Sequence, residues 1–320
     1  IPISQCIESH VRILKEKALL RSGIMKLNNA LKQLYLADSS NAIEFLNNAE
    51  NCLDGICEIK KGEITTIQDE IMPAFERYRE LKKVNGITGL KSGYNKLDYM
   101  TNGFQNSDLV IIAARPSMGK TALALNLMLN FAKNGNPVGI FSLEMKKDQL
   151  VDRMLSIESG INTLSFRSGQ FSNENWQQLT SVGNTLNKIA NIYIDDNSSL
   201  NLNDIKRKAV QLKKQGCKAL IIDYLQLMNV SSGRSRHEEI GQLSRGLKLL
   251  ARSLDIPVIA LSQLNRKLED RADKRPFLSD LKESGDIEQD ADVVMFIYRD
   301  EVYNKNSKEQ GIAEIIIRKQ

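Results

Sequence analysis

The spacing of hydrophobic and polar positions changes twice along the chain and divides it into three regions. In the first, residues 1–62, apolar side chains recur near a 3.6-residue period in two stretches, and the polar segment Ala37–Asn41 separates them. This pattern predicts two helices joined by a short connection, a helical hairpin. Because two helices alone bury little apolar surface, we expect the hairpin to dock on something else.

The second region, residues 63–86, predicts one amphipathic linker helix. Ile67, Ile71, Phe75 and Tyr78 lie along one helical stripe, and charged residues fill the remaining positions. A helix of this kind between two domains either packs on its own domain or serves as a handle for a neighbouring subunit. The pattern is compatible with both arrangements.

The third region, residues 87–320, alternates short apolar runs with helical stretches. The seven predicted strands are Leu109–Ala113, Pro137–Ser142, Ile192–Asp195, Ala219–Asp223, Pro257–Ser262, Val293–Tyr298 and Ile312–Ile317. Runs that are apolar throughout are typical of parallel strands that are buried on both faces. We therefore predict an α/β domain with a mainly parallel sheet, in which ligands bind at the carboxyl ends of the strands.

Composition narrows the class of protein further. Hydrophobic residues make up 42% and charged residues 26% of the chain, which is typical of globular proteins and excludes disordered and collagen-like classes. No apolar run approaches the length of a membrane span, so we expect no membrane partner. The net charge of +5 permits a polyanionic partner without requiring one. Four cysteines without a C-x-x-C pair argue against a disulfide framework or a structural zinc, and indicate a reducing, cytoplasmic compartment.

A phosphate-binding pattern follows the first predicted strand. The chain there approximates the Walker A motif, with a Gly-Lys-Thr triplet at the start of a predicted helix. In such a loop the backbone amides and the lysine bind phosphates and the threonine hydroxyl binds Mg²⁺, so we predict ATP and Mg²⁺ as cofactors. Ala114 stands where the motif has its first glycine, and the backbone there must therefore suit an alanine. The predicted cofactor-binding residues are Ser117, Met118, Gly119, Lys120, Thr121 and Ala122.

Polar residues end three further predicted strands. Glu144 can orient and activate the attacking water, although a helix-capping or solvent-facing glutamate explains this residue alone equally well. Asp223 completes a Walker B pattern and forms, with Thr121, the predicted metal site. Gln263 follows the next strand, where an amide can contact the γ-phosphate. We predict Lys120, Glu144 and Gln263 as catalytic residues, and the four strand ends together describe a RecA-like P-loop ATPase core.

Five short sequence segments carry a more specific resemblance to a known family. They are Ala114–Thr121, Ser142–Met145, Ile222–Gln226, Ser262–Arg266 and Ser279–Asp300. In this order they resemble the ATPase domain of bacterial DnaB-type replicative DNA helicases, and the resemblance covers residues 87–320. Residues 1–62 and 63–86 resemble the end of the amino-terminal domain and the linker helix of the same family.

The resemblance implies an activity and partners that composition does not. It implies an ATP-dependent helicase whose homohexameric ring holds ATP between subunits, encloses single-stranded DNA and moves from 5′ to 3′. It also implies a primase on the amino-terminal collar and a helicase loader as partners.

The resemblance further assigns roles to residues outside the four strand ends. Lys282, Glu283 and Gly285 match the loop that contacts DNA, although Lys282 stands where many relatives have arginine and loses bidentate geometry. Without the family, this segment reads as an ordinary connecting loop. Arg153 matches an arginine near the nucleotide, for which a surface salt bridge is a rival interpretation. Lys319 matches a finger lysine that acts on the neighbouring subunit.

Two rival functions and one expectation about the ends accompany this interpretation. Against the family pattern, the chain starts after the globular part of the amino-terminal domain and ends one residue before a trans-acting arginine, so we expect residues 87–320 to be truncated at the carboxyl end.

One rival is a RecA-type ATPase without unwinding activity. The other is a scaffold that binds a primase or a loader through the helical hairpin.

Overall fold

The computed structural model describes residues 17–18, 20–29, 31–32, 35, 65–83, 86–189, 191–223, 236–281 and 285–320. Its contacts divide the chain into two compact units, Ile1–Glu80 and Leu81–Gln320. Residues 20–29 are helical, in agreement with the first predicted helix of the hairpin. The second predicted helix of the hairpin lies outside the described residues. None of the helices in this described part combines the length and the hydropathy that a membrane span requires.

The predicted linker helix is present as α1 (Ile67–Lys83). Thr66 and Asp69 cap its amino terminus reciprocally. The Thr66 N–H and hydroxyl donate to the Asp69 carboxylate at 3.1 and 2.7 Å, and the Asp69 N–H donates to the Thr66 hydroxyl at 3.4 Å. These hydrogen bonds favour the ionised carboxylate and lower the pKa of Asp69. The helix carries exposed apolar side chains, among them Ile67, Phe75 and Tyr78.

The second unit is built on one seven-stranded sheet. Its strands are β1 (Leu109–Ala114), β2 (Val138–Ser142), β3 (Ile192–Asp195), β4 (Ala219–Asp223), β5 (Val258–Gln263), β6 (Val293–Tyr298) and β7 (Glu314–Lys319). They lie in the order β3-β2-β4-β5-β1-β6-β7. All neighbouring pairs are parallel except β6 and β7, which are antiparallel. The predicted α/β fold with a mainly parallel sheet is therefore confirmed.

One predicted strand is misplaced. The apolar pattern placed the last strand at Ile312–Ile317, whereas β7 runs from Glu314 to Lys319. The residues before it form a turn, in which Gly311 has φ 73° and donates its N–H to a Glu301 carboxylate oxygen at 2.7 Å. This turn leaves Ile312 exposed, so its hydrophobicity did not indicate burial.

Helices flank the sheet. They are α2 (Asn95–Thr101), α3 (Lys120–Lys133), α4 (Lys147–Ser159), α5 (Thr163–Ser168), α6 (Asn173–Leu186), α7 (Leu202–Lys214), α8 (Arg236–Leu254), α9 (Gly285–Asp290) and α10 (Asp300–Tyr303). Two 3₁₀ helices, Arg266–Asp270 and Leu278–Asp280, follow β5. Local signals set several of the starts: Asn201 and Asp204, for example, form a reciprocal capping box at the start of α7.

The core consists of two apolar layers, one on each face of the sheet. Alternate residues of β1 point to opposite faces, so that Ile111 belongs to one layer and Ile112 to the other. Every residue of β1, β2, β4 and β6 is buried, which explains why these strands are apolar throughout. Because β2, β4, β5 and β1 are adjacent and parallel, their carboxyl ends meet at one edge of a rigid sheet.

Candidate nucleotide-binding and catalytic site

The loop between β1 and α3 has the shape of an anion-binding turn. Ser117 and Gly119 have positive φ values of 67° and 96°, and Gly119 is the residue before α3. Left-handed residues turn successive backbone N–H groups toward one side, where the amino terminus of the 14-residue helix α3 adds its dipole. Ala114, the departure from the Walker A pattern, is the last residue of β1 and is not among the residues with positive φ. Alanine therefore fits this position without strain.

Lys120 begins α3 in a largely buried environment, with 14% of its side chain exposed. Its ammonium nitrogen lies 3.7 Å from Oδ1 of Asp223, a distance for an ion pair and not for a hydrogen bond. Burial lowers the pKa of Lys120, and the charges of Asp223 and Glu144 partly oppose this shift. The lysine is thus held in a desolvated place where a phosphate group stabilises its positive charge.

The residues at the end of β4 fit a metal site. The Thr121 hydroxyl donates to Oδ2 of Asp223 at 2.8 Å, and the Asp223 side chain is fully buried. Its other oxygen, Oδ1, is buried and has no hydrogen-bond partner among the described residues. A buried carboxylate oxygen left without a hydrogen bond is costly unless a cation offsets its charge, and the Lys120 ammonium at 3.7 Å is the cation that the described residues supply. One carboxylate and one hydroxyl next to a phosphate-binding loop are the donors that Mg²⁺ uses in nucleotide sites.

Glu144 and Gln263 come from the strands on either side of β4. Ser142 pairs with Asp223 across β2 and β4, and the Leu143 N–H donates to the Asp223 carbonyl at 2.7 Å. The Ser142 hydroxyl also closes a tight turn with Met145, in which Glu144 is exposed. Gln263 is the last residue of β5 and pairs with Ala114 of β1. Both side chains therefore reach the edge of the sheet that carries the phosphate-binding loop.

A cavity of about 820 Å³ brings most of the predicted residues together. The predicted residues that line it are Ser117, Gly119, Lys120, Thr121, Ala122, Glu144, Arg153 and Gln263. Met118 is not among the residues that line the cavity, because its side chain is buried in the core layer with β1 and α3. If Met118 binds a nucleotide, it does so through its backbone.

The structure adds residues to the cavity that the sequence did not single out. Phe166 and Arg167 on α5, and Gln149 on α4, line its outer part. They follow no motif, and only the packing of α4 and α5 near the phosphate-binding loop brings them to the cavity. Arg115, inside the Walker A motif, also lines the cavity, and its side chain contacts Glu269 and the Leu264 carbonyl.

Of the predicted DNA-contacting and trans-acting residues, the structure describes Gly285 and Lys319, and neither lines the cavity. Lys282 and Glu283 are outside the described residues, and Gly285 is the first residue of α9. Lys319, at the end of β7, donates to the carbonyls of Glu288 and Gln289 at 2.6 and 3.3 Å. These carbonyls belong to the last turn of α9, where a cation is favoured by the helix dipole.

The fold and the site define the class of protein. The sheet is mainly parallel, a phosphate-binding loop follows β1, and acidic residues follow or end β2 and β4. This arrangement is typical of a RecA-like P-loop ATPase. Residues 89–320 match the family model of the DnaB-like helicase C terminal domain. The chain therefore belongs to the DnaB-like replicative helicase family.

Similar proteins cover nearly the whole chain. The sequence is 45% identical over 327 residues to replicative DNA helicase DnaB of Geobacillus stearothermophilus, covering 100% of this chain and 71% of that protein. It is 42% identical over 327 residues to replicative DNA helicase DnaC of Bacillus subtilis (strain 168), with the same coverage.

Solved structures agree with the sequence matches. One of them, the structure of an isolated ATPase domain, is 42% identical and superposes with a TM-score of 0.75, covering 78% of this chain and 90% of that one. A DnaB-like replicative helicase, described with its interactions with primase, is 36% identical with a TM-score of 0.80 and covers 98% of this chain and 73% of that one.

Proposed function

We propose that this chain is a subunit of a replicative DNA helicase in which ATP hydrolysis drives a homohexameric ring along single-stranded DNA. The observation that carries the proposal is the convergence of Lys120, Thr121, Glu144 and Gln263 on one cavity at the edge of the sheet, beside the buried Asp223. Four different strand ends supply these groups, as a RecA-like ATPase requires. Because the chain belongs to the DnaB-like replicative helicase family, we assign this ATPase as a helicase.

The phosphate-binding loop and its neighbours hold the nucleotide. The loop amides and the Lys120 ammonium bind the β- and γ-phosphates of ATP, and the lowered pKa of buried Lys120 rises again when the phosphate charge arrives. Thr121 and Asp223 would hold Mg²⁺, and the ion would neutralise charge that develops on the phosphates. Arg153, on the cavity wall, adds a positive charge near the nucleotide.

Glu144 and Gln263 act at the γ-phosphate. In this role the Glu144 carboxylate accepts a hydrogen bond from the attacking water and orients it for in-line displacement. The Gln263 amide contacts the γ-phosphate and changes its contact when the phosphate leaves. Since Gln263 ends β5, this change reaches the segment that follows the strand.

The assembly is part of the proposal. A homohexamer places Lys319 of one subunit beside the ATP of the next and Lys282, Glu283 and Gly285 beside the DNA strand, with movement from 5′ to 3′. The similarity to a helicase solved with its primase interactions supports a primase as partner, and a helicase loader is the second partner we propose. The reaction takes place in the cytoplasm, where the replicating DNA is found in bacteria.

The family match favours this proposal over the two rivals. A RecA-type ATPase without unwinding activity accounts for the cavity but not for 45% identity to a replicative helicase over the whole chain. A scaffold that binds a primase or a loader without catalysis accounts for neither the cavity nor the buried ion pair of Lys120 and Asp223.

Glu144→Gln tests the proposal in the full-length protein. The amide keeps the size of the side chain but is a poor base, so kcat for ATP hydrolysis should fall by about 100-fold or more. Binding of a fluorescent ATP analogue should remain, and unwinding of a forked duplex should be lost with hydrolysis.

Glu158→Gln is the matched control. Glu158 makes an ion pair with Lys133 at 2.6 Å and is not among the residues that line the cavity, so hydrolysis and unwinding should stay at the parental level. Parental hydrolysis in Glu144→Gln would refute the role of this residue. Hydrolysis without unwinding in the parent protein would support the RecA-type rival.

A further inference from the structure

The outermost strand β7 carries Lys319, the residue that we propose to act on the neighbouring subunit. In the part of the chain that the structure describes, β7 pairs with β6 on one side and ends the sheet on the other. Every residue of β6 is buried, whereas every residue of β7 is at least partly accessible to solvent. An edge strand with little buried surface is weakly fixed in register unless other segments hold it. The position of Lys319 therefore depends on what holds β7.

A β-bulge directly before Lys319 changes the direction of this side chain. Ile317 and Lys319 pair with successive residues of β6, so Arg318 between them is the extra residue of the bulge. By strict alternation Lys319 would share the face of Ile317, which packs in one apolar layer. Its ammonium group instead contacts the carbonyls at the end of α9, a helix whose Ile287 belongs to the opposite layer. The bulge thus aims Lys319 toward the other face of the sheet.

A single segment between β5 and β6 contacts both ends of β7. At the start of the strand, Arg275 donates from Nε and Nη2 to the two carboxylate oxygens of Glu314 at 3.0 and 2.6 Å. At the bulge, Arg318 Nε donates to the Pro276 carbonyl at 3.2 Å. The Arg318 guanidinium also lies 5.0 Å from the centre of the Phe277 ring. Because a two-pronged contact between a guanidinium and a carboxylate fixes orientation as well as distance, this segment can hold β7 in register.

The contacting segment is itself tied to the fold. Arg271 donates to Oδ2 of Asp280 at 2.5 Å and to the Arg275 carbonyl at 3.2 Å. The same carboxylate oxygen accepts the Phe277 N–H at 2.8 Å, and Asp280 is buried. The Arg275 guanidinium lies 4.9 Å from the ring centre of Tyr298, a buried residue of β6. Arg275 is therefore held at its carbonyl and at its side chain, and it can serve as a fixed point for β7.

We propose that Arg275 is a positioning residue that, through Glu314, holds β7 in the register that aims Lys319. This inference rests on the proposed function, in which Lys319 of one subunit acts on the ATP of the next. A strand that slips or tilts displaces the lysine, and a displacement of about 1 Å can lower a rate by about 100-fold. Arg275, Glu314 and Arg318 are not among the residues that line the nucleotide cavity, so their effect on hydrolysis is indirect.

The test records kcat for ATP hydrolysis by the full-length protein and, separately, the affinity for a fluorescent ADP analogue. In Arg275→Ala, kcat should fall by about tenfold or more, because β7 loses the contact at its start. The affinity for the ADP analogue should stay within about twofold of the parent, since ADP lacks the γ-phosphate that Lys319 is proposed to reach. Rates are compared at protein concentrations where mass photometry shows equal hexamer fractions.

Glu314→Ala removes the same contact from the other side and should give the same two results. The Arg275 and Glu314 side chains are 40% and 29% exposed, so neither replacement leaves a fully buried charge without its partner. Both variants should therefore fold.

A double-variant comparison separates positioning from a general loss of structure. If Arg275 acts through Lys319, adding Arg275→Ala to Lys319→Ala should lower kcat by no more than about twofold beyond Lys319→Ala alone. A general structural defect would add its full loss to that of Lys319→Ala, and it would also weaken binding of the ADP analogue.

Arg207→Ala is the matched control. Arg207 also pairs with an acidic side chain, Asp204, at 2.9 Å, but this pair lies within α7. Its removal should leave kcat and the affinity for the ADP analogue at their parental values.

Several results would overturn the inference. Parental kcat in Arg275→Ala or in Glu314→Ala excludes the positioning role. Action through Lys319 is excluded if Arg275→Ala lowers kcat by its full factor in the Lys319→Ala protein as well. Parental kcat in Lys319→Ala would refute the trans-acting role itself, and the inference would fall with it, while the nucleotide site tested by Glu144→Gln would stand.

Discussion

At the residue scale, the site depends on the balance of charge around Lys120. Burial lowers the pKa of its ammonium group, and Asp223 and Glu144 raise it again. Asp223 thus has two tasks in the proposed site, because the same carboxylate also accepts the hydrogen bond of Thr121 and would offer its second oxygen to a metal ion. A change at Asp223 should therefore affect both the metal and the protonation of the lysine.

Asp223→Asn removes the charge of this side chain and keeps its hydrogen bond with Thr121. The amide oxygen can still accept the Thr121 hydrogen bond, but the negative charge that opposes the burial of Lys120 is lost, so the pKa of the lysine falls further. A lysine with a lower pKa loses its proton at a lower pH. Binding of a fluorescent ATP analogue should therefore decline at a lower pH than in the parent protein, and its dependence on Mg²⁺ should be weaker.

The control for this titration is Asp270→Asn, the same chemical change at an exposed aspartate. It should leave both the alkaline decline and the dependence on Mg²⁺ unchanged. An Asp223→Asn protein that binds the analogue with the parental pH profile would contradict the assigned charge balance.

At the scale of elements, α8 packs closely against α9, the helix that follows the predicted DNA-contacting residues Lys282 and Glu283 in the sequence. Gly241 of α8 lies against Asp286 of α9, and a Cβ at Gly241 would come within 2.2 Å of the Asp286 carboxylate and 3.1 Å of its Cβ. Glycine in α8 therefore allows α9 to pack closely, and because α9 begins at Gly285, a predicted DNA-contacting residue, we expect this packing to matter for DNA binding.

Gly241→Ala should displace α9 and destabilise the protein by about 1–3 kcal/mol, as overpacking does. The larger effect is expected on function: affinity for a single-stranded oligonucleotide should decrease, while binding of ATP in the absence of DNA should persist. Fluorescence anisotropy with labelled DNA measures the first quantity and an ATP analogue the second.

Gly183→Ala is the matched control for Gly241→Ala. Gly183 lies inside helix α6 with open space around its missing Cβ, so alanine there should stabilise the protein by about 0.5–1 kcal/mol and leave DNA affinity unchanged. Unchanged DNA affinity in Gly241→Ala would show that the packing of α9 does not matter for DNA binding.

At the scale of the whole molecule, assembly is the central question, and α1 is the element that bears on it. Its Phe75 and Tyr78 side chains are 55% and 57% exposed, and an exposed apolar stripe on a helix is typical of a contact surface. The sequence left open whether this helix packs on its own domain or on a neighbour. The homohexameric ring that we propose favours the neighbour.

Phe75→Lys should weaken ring assembly, because a charge replaces an apolar side chain at the buried contact that we propose. The hexamer fraction at a fixed protein concentration, measured by mass photometry, should fall. ATP hydrolysis should fall with it, since we propose that Lys319 acts on the neighbouring subunit. Glu80→Lys places the same lysine on the charged face of α1 and should leave the hexamer fraction at the parental value. Equal hexamer fractions for both variants would favour packing of α1 within its own chain.

The order and type of the elements could be predicted well because burial leaves a local trace in the sequence. Parallel strands buried on both faces must be apolar throughout, and six of the seven predicted strands differ from the observed ones by at most one residue at either end. The predicted start of the seventh strand at Ile312 was wrong, because this apolar residue lies in an exposed turn. Gly119, Lys120 and Thr121 could be recognised because a phosphate-binding loop imposes fixed residue types at fixed spacing.

By itself, the sequence determined the class of fold and the residues at four strand ends, since these depend on neighbours along the chain. Only the tertiary structure decided which strands are adjacent, because the spatial order β3-β2-β4-β5-β1-β6-β7 is not the order of the chain. That order brings Asp223 to Thr121 and places Arg115 against Leu264 and Glu269. Contacts of this kind arise from the packing of distant segments on a rigid sheet, and no local pattern of residues encodes them.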